Sequence, residues 1–176
     1  MLLSRRLADL LTSSRFMLAL VFAWLGLAGS AELLPVASFL LLASWISDLL
    51  DGPLARHGRG ETTWIGDHDL EADVFVSLGG LAYLVGAGFL APAYAAAYLL
   101  LWGVILWRWG WNREPAMLFQ AAIYLWFIIV AMQHASQAGW WLIGYIGILI
   151  VLTWPRLPRE VIPAFLAGMS RAMKDN

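Results

Sequence analysis

Six runs of mostly apolar residues, most of them near the length that crosses a bilayer, constrain this chain more than any other feature. They run approximately Leu10–Leu27, Leu34–Ala55, Asp69–Leu90, Tyr94–Trp109, Met117–Met132 and Trp140–Trp154. A membrane-spanning helix needs about 20 such residues; the last three runs are shorter. The breaks carry turn chemistry: Gly29-Ser30 with Pro35, His57-Gly58-Arg59-Gly60, Pro92, Asn112 with Pro115, and Ser136 with Gly139. Composition agrees, because 61% of the 176 residues are hydrophobic and only 13% charged, against roughly 25% charged in a soluble domain. The pattern predicts an all-α, polytopic membrane protein with six transmembrane helices, forming a single domain over residues 1–176.

Charge placement tests the count. With six spans both termini fall on one side, and that side receives all 11 Lys and Arg residues, from Arg5 and Arg6 through Arg56, Arg59, Arg108 and Arg113 to Arg171 and Lys174. The positive-inside rule makes it cytoplasmic; five spans would spoil the segregation. Trp107, Trp109, Trp111 and Trp154 then lie at inner span ends and Trp140 and Trp141 at an outer one, where indoles anchor helices to the interface. Arg5 and Arg6 before an apolar run, with Ala28 and Ser30 after it, resemble a secretory signal. Asp9 and Arg15 fit a signal poorly, so the first run is read as a retained span. The two ends are read as short amphipathic helices in the interface: Leu2, Leu3, Leu7, Leu10 and Leu11 at one, Val161, Phe165, Met169 and Met173 at the other. A net charge of −1 argues against nucleic acid as a partner. With no cysteine, disulfides and thiolate metal sites are excluded.

Chemistry concentrates where the second run ends and the third begins. Asp48 and Asp51 are three apart and Asp69 and Asp73 four apart, so each pair shares one helix face. The link between the pairs is long enough to fold back as a helix hairpin, letting the two faces converge. Acids in a membrane span are costly and point to function. Four carboxylates together repel unless cations compensate them, and all-oxygen ligation suits magnesium, calcium or manganese. Two such ions would suit phosphoryl chemistry. Arg56 is the nearby cation for a donor phosphate, and Gly52 and Ala55 leave little bulk, so a flat ligand can approach the backbone. Asp67 and Glu71 read as interfacial acids.

The segment Asp48-Leu-Leu-Asp51-Gly52-Pro-Leu-Ala55-Arg56, followed by Asp69 and Asp73, resembles the CDP-alcohol phosphatidyltransferase signature, D-x2-D-G-x2-A-R-x8-G-x3-D-x3-D. One fixed position departs: the second glycine falls at Ile65, with Gly66 one place later. Pro53 stands at a variable position inside the second helix and is expected to kink it. Leu11-Thr12-Ser-Ser-Arg15 resembles the family's T-x2-R element. The resemblance implies that Asp48, Asp51, Asp69 and Asp73 hold Mg2+ or Mn2+, two ions in all. Asp73 would also be the general base on the acceptor hydroxyl, and Gly52, Ala55 and Arg56 would contact the CDP part of the donor. It further implies six spans, a homodimer, and phospholipid synthesis: transfer of a phosphatidyl or other phosphoalcohol group from a CDP-linked donor, with CDP-diacylglycerol preferred, to an alcohol acceptor, releasing CMP.

Other residues carry competing readings. Arg15 is read first as snorkelling to lipid headgroups and second as a contact for an acceptor phosphate. His57 and His68 are read as loop histidines, and His134 lies on the opposite side. Gly79-Gly80, Gly86 and Gly88 predict close helix packing. Rival functions are an intramembrane prenyltransferase, a cation transporter using the acids as its ion path, and a non-catalytic membrane scaffold. The first normally has more spans and lacks the G-x2-A-R tail, and the second needs acids near mid-membrane.

Overall fold

The computed structural model describes the backbone of residues 2–57 and 68–174, and the side chains of residues 10–50 and 68–173. Among the described residues there are seven α-helices and no strand: α1 (Leu2–Ala28), α2 (Leu34–His57), α3 (Asp69–Gly86), α4 (Pro92–Trp109), α5 (Arg113–His134), α6 (Ser136–Thr153) and α7 (Ile162–Lys174). Four stretches among the described residues are long and apolar enough to cross a membrane: Leu10–Ala28, Ala31–Leu50, Arg113–His134 and Ser136–Thr153. The remaining two expected spans are helical, but α3 opens with Asp69, Glu71 and Asp73 and α4 closes on Trp107-Arg108-Trp109, which dilutes their apolar character. The expected amphipathic N-terminal segment is not a separate element, since α1 runs unbroken from Leu2 into the first span. Prolines sit where they cost least: Pro92 opens α4, with no intrahelical bond to lose, although α2 continues through Pro53 to His57.

The chain divides into two compact units, residues 1–90 and 91–176. In the first, α1 is the central helix, packed along both α3 and α2, while α2 and α3 meet over only a short stretch. Small residues make the α1–α3 approach possible. A Cβ on Gly79 would stand 2.7 Å from the Ala19 carbonyl oxygen, and one on Gly26 would stand 2.6 Å from the Ala82 carbonyl oxygen. Gly79 and Gly86 therefore pack as expected, whereas Gly88 does not. It faces open space and adopts φ +79°, so it reverses the chain after α3 rather than joining two helices. Phe22, Leu25, Leu41, Val76, Tyr83 and Leu84 fill the remaining core. Tyr83 donates its hydroxyl proton to the Ser30 carbonyl at 3.2 Å, tying α3 to the turn before α2.

In the second unit α5 packs against α4, α6 and α7. Tyr98 and Trp102 of α4 enclose Phe119 of α5, with ring centroids 5.5 and 5.9 Å from it. Gly168 brings α7 against the Glu114 carboxylate at the start of α5. Trp107, Trp111, Trp140, Trp141 and Trp154 are all exposed, as rings that anchor in an interface must be.

Candidate active site

Arg15 organises the site. It sits four turns into α1 with Thr12 one turn behind it on the same face, and both are buried, Arg15 with zero solvent exposure. Its Nη1 donates to Asp48 Oδ1 on α2 at 2.9 Å and also to Asp73 Oδ1 on α3. Its Nη2 donates to Thr12 Oγ1 at 3.4 Å. Both carboxylates touch one nitrogen, so their oxygens stand no further apart than two hydrogen-bond lengths. Ser47, next to Asp48, donates to the Leu11 carbonyl at 3.3 Å and pins this turn of α2 to α1. The two carboxylates differ in depth: the Asp48 side chain is 55% exposed and that of Asp73 27%. Asp48 therefore forms the mouth of the site and Asp73 its floor.

Asp69 stands one turn before Asp73, in the first turn of α3. It is exposed and accepts the Leu70 amide at 2.7 Å. A carboxylate there is stabilised by the unsatisfied amides of the helix N-terminus. Two of the described carboxylates thus share one guanidinium with Asp69 one turn away, and the excess negative charge fits a divalent cation. Among the described residues no three acidic or histidine side chains are already arranged around a metal position. Arg15 stands where Asp48 and Asp73 converge. The side chains of Asp51, Gly52, Ala55 and Arg56 lie outside the described ones, as does Ile65; the α2 backbone carries the first four one to two turns beyond Asp48.

The structure corrects three expectations about these residues. Arg15 does not snorkel to headgroups: it is fully enclosed and paired with two carboxylates. Nor do Asp48 and Asp73 converge across a simple hairpin of α2 and α3, because α1 lies against both and supplies the residue that joins them. The available signal was Arg15 itself, a full charge inside an apolar run, which demands an internal partner. Glu71 is also not merely interfacial, since its Oε2 is buried and has no hydrogen-bond partner among the described residues. His68 precedes α3 at its N-cap position without a side-chain capping bond, and His134 ends α5 in the other unit.

Residues 5–156 match the sequence profile of the CDP-alcohol phosphatidyltransferase family, most of the chain and well beyond the short motif. The chain belongs to that family. No curated protein and no solved structure matches it. Membership in the CDP-alcohol phosphatidyltransferases brings with it the transfer of a phosphoalcohol group from a CDP-alcohol. Asp48, Asp69 and Asp73, whose spacing resembles the family's motif, lie on the second half of α2 and at the start of α3.

Proposed function

We propose that this CDP-alcohol phosphatidyltransferase is a multi-pass membrane enzyme of phospholipid synthesis, moving the phosphatidyl group of CDP-diacylglycerol to a small alcohol or its phosphate and releasing CMP. The observation that carries this reading is the meeting of Asp48 and Asp73, from two helices, on a single positive charge. The whole chain acts as one membrane domain in which α3 and α4 also cross, completing six spans. The segregation of all 11 basic residues puts the site at the cytoplasmic face, where a nucleotide donor is available. The enzyme acts as a homodimer.

Asp48, Asp51, Asp69 and Asp73 are the residues that would hold two Mg2+ or Mn2+ ions. When bound, such ions offset the charge on the donor phosphates and on the departing CMP. Gly52 and Ala55 let the cytidine approach the α2 backbone, and Arg56 pairs with the diphosphate. Asp73 takes the proton of the acceptor hydroxyl, which makes that oxygen a competent nucleophile. The oxygen forms a new bond to the phosphorus that carries the donor alcohol, and the bond from that phosphorus to CMP breaks. The position of Asp73, deeper than Asp48, suits a base that must be shielded from bulk water.

A lipid-linked donor is favoured by a groove of about 540 Å³ between α1 and α2. Leu11, Met17, Val21, Ile46 and Leu50 line it, and it passes beside the turns that carry Arg15 and Asp48. Its two serines, Ser14 and Ser47, both donate to the Leu11 carbonyl, so the groove offers an acyl chain an apolar wall. The deciding experiment supplies purified protein with CDP-diacylglycerol, Mg2+ or Mn2+ and a panel of alcohols, and measures CMP. A second series pairs CDP-linked head groups with diacylglycerol. Absence of CMP from every pair would sink the proposal.

A further inference from the structure

We propose that Arg15 is the resident counter-ion of the metal-free site, and that a divalent cation enters by displacing its guanidinium from Asp48 and Asp73. The inference rests on the proposed use of divalent metal by this site and adds what holds the site together before metal arrives.

Three observations carry it. The first is the shared nitrogen: Nη1 donates to Oδ1 of both Asp48 and Asp73. Arginine usually meets a carboxylate through its two-pronged edge. Here one prong is spread across two helices, as a bridging cation would be. The second is enclosure. Arg15 has zero exposure, so its charge is compensated by protein groups, Asp48 and Asp73 among them, and not by water. A contact for an acceptor phosphate would instead need an open face. The third is the anchoring of the neighbouring backbone. Ser47 is bonded to Leu11, and the α1–α3 approach is fixed at Gly26 and Gly79, so the helices hold their places when side chains exchange partners.

Metal and guanidinium compete because they want the same oxygens. A bound Mg2+ or Mn2+ sits about 2.1 Å from its carboxylate oxygens. A guanidinium hydrogen-bonded to the same two atoms would face that ion at close range with no water between them. Two like charges so placed repel strongly in an enclosed site. The side chain of Arg15 must therefore turn from its partners as the metal binds. In the metal-free state it prevents mutual repulsion of the acids from splaying α2 from α3. Arg15 is thus a positioning residue that sets metal affinity.

The test measures Mn2+ binding by the electron paramagnetic resonance signal of the free aqueous ion, using full-length protein in nanodiscs. Arg15→Gln should bind Mn2+ about tenfold more tightly than wild type. Arg15→Lys, which keeps the charge, should stay within about threefold. The metal-free Gln variant should also unfold at a lower temperature, with Mn2+ restoring more stability than it adds to wild type. Equal or weaker Mn2+ binding by the Gln variant would overturn the proposal while leaving the metal reading intact. If neither protein binds Mn2+, the divalent-metal reading falls and this proposal falls with it. Should Arg15→Gln fail to fold, the guanidinium NMR signals of 15N-arginine-labelled wild type decide. The slowly exchanging Arg15 signal, assigned by its loss in Arg15→Lys, should lose protection at saturating Mg2+. Persistence of that protection with Mg2+ bound refutes displacement.

Discussion

Replacing Gly79 by alanine adds one methyl group at a close point of the α1–α3 contact. The new Cβ would stand 2.7 Å from the Ala19 carbonyl oxygen and 2.9 Å from Phe22 Cβ. Comfortable separations are about 3.5 Å, so relief requires the helices to part by roughly 0.5–1 Å, which forfeits a quarter to a half of each dispersion contact it loosens. One obstacle is backbone, which cannot swing aside as a flexible side chain would. Overpacking of this kind costs about 1–3 kcal/mol. Alanine returns up to about 1 kcal/mol in helix propensity. The net loss is therefore up to about 2 kcal/mol, which at that size lowers the unfolding temperature by several degrees. Gly144→Ala on α6 is the control, because nothing lies within 4 Å of its added Cβ. It should leave the transition unchanged or raise it. Tryptophan fluorescence during heating in detergent reads both variants. The displacement should also lower CMP release, since Arg15 lies one turn from Ala19 on the helix being pushed away. Unfolding of Gly79→Ala at the wild-type temperature would refute the claim that this contact sets the α1–α3 spacing.

Other substitutions separate the proposed roles. Asp73→Asn should reduce CMP release by at least about 100-fold, the scale of a lost general base, while CDP-donor binding measured by calorimetry stays within a few-fold; full activity would remove Asp73 from the chemistry. Arg56→Ala should raise KM for the donor more than it lowers kcat, and an unchanged KM would place the donor diphosphate elsewhere. Tyr83→Phe deletes only the hydroxyl bonded to the Ser30 carbonyl. Thermal unfolding should show a loss of about 1 kcal/mol with kcat unaltered, because that end of α3 lies far along the helix from Asp73.

The candidate site was partly legible in the sequence because motif spacing is a helical property. Asp48 lies at the end of an apolar run and Asp73 near the start of another, and helix geometry alone fixes which neighbours share their faces. Helix boundaries were less legible. The run ending at Leu90 stops as a helix at Gly86, since Gly88 turns the chain through a left-handed conformation that hydropathy does not register. Likewise α1 runs on through Arg5 and Arg6, because polar residues interrupt an apolar pattern without breaking backbone hydrogen bonds.

Sequence by itself determined that the chain is helical and rich in spans long enough for a bilayer, and that acids gather at two facing helix ends; these follow from local periodicity and the cost of charge in lipid. Only the tertiary structure decided what lies between those acids. Arg15 is 33 residues from Asp48 and 58 from Asp73 in the chain. No local rule links such distant positions. They meet because small residues let α1 press closely against α3 while Ser47 secures it to α2, a consequence of packing in three dimensions.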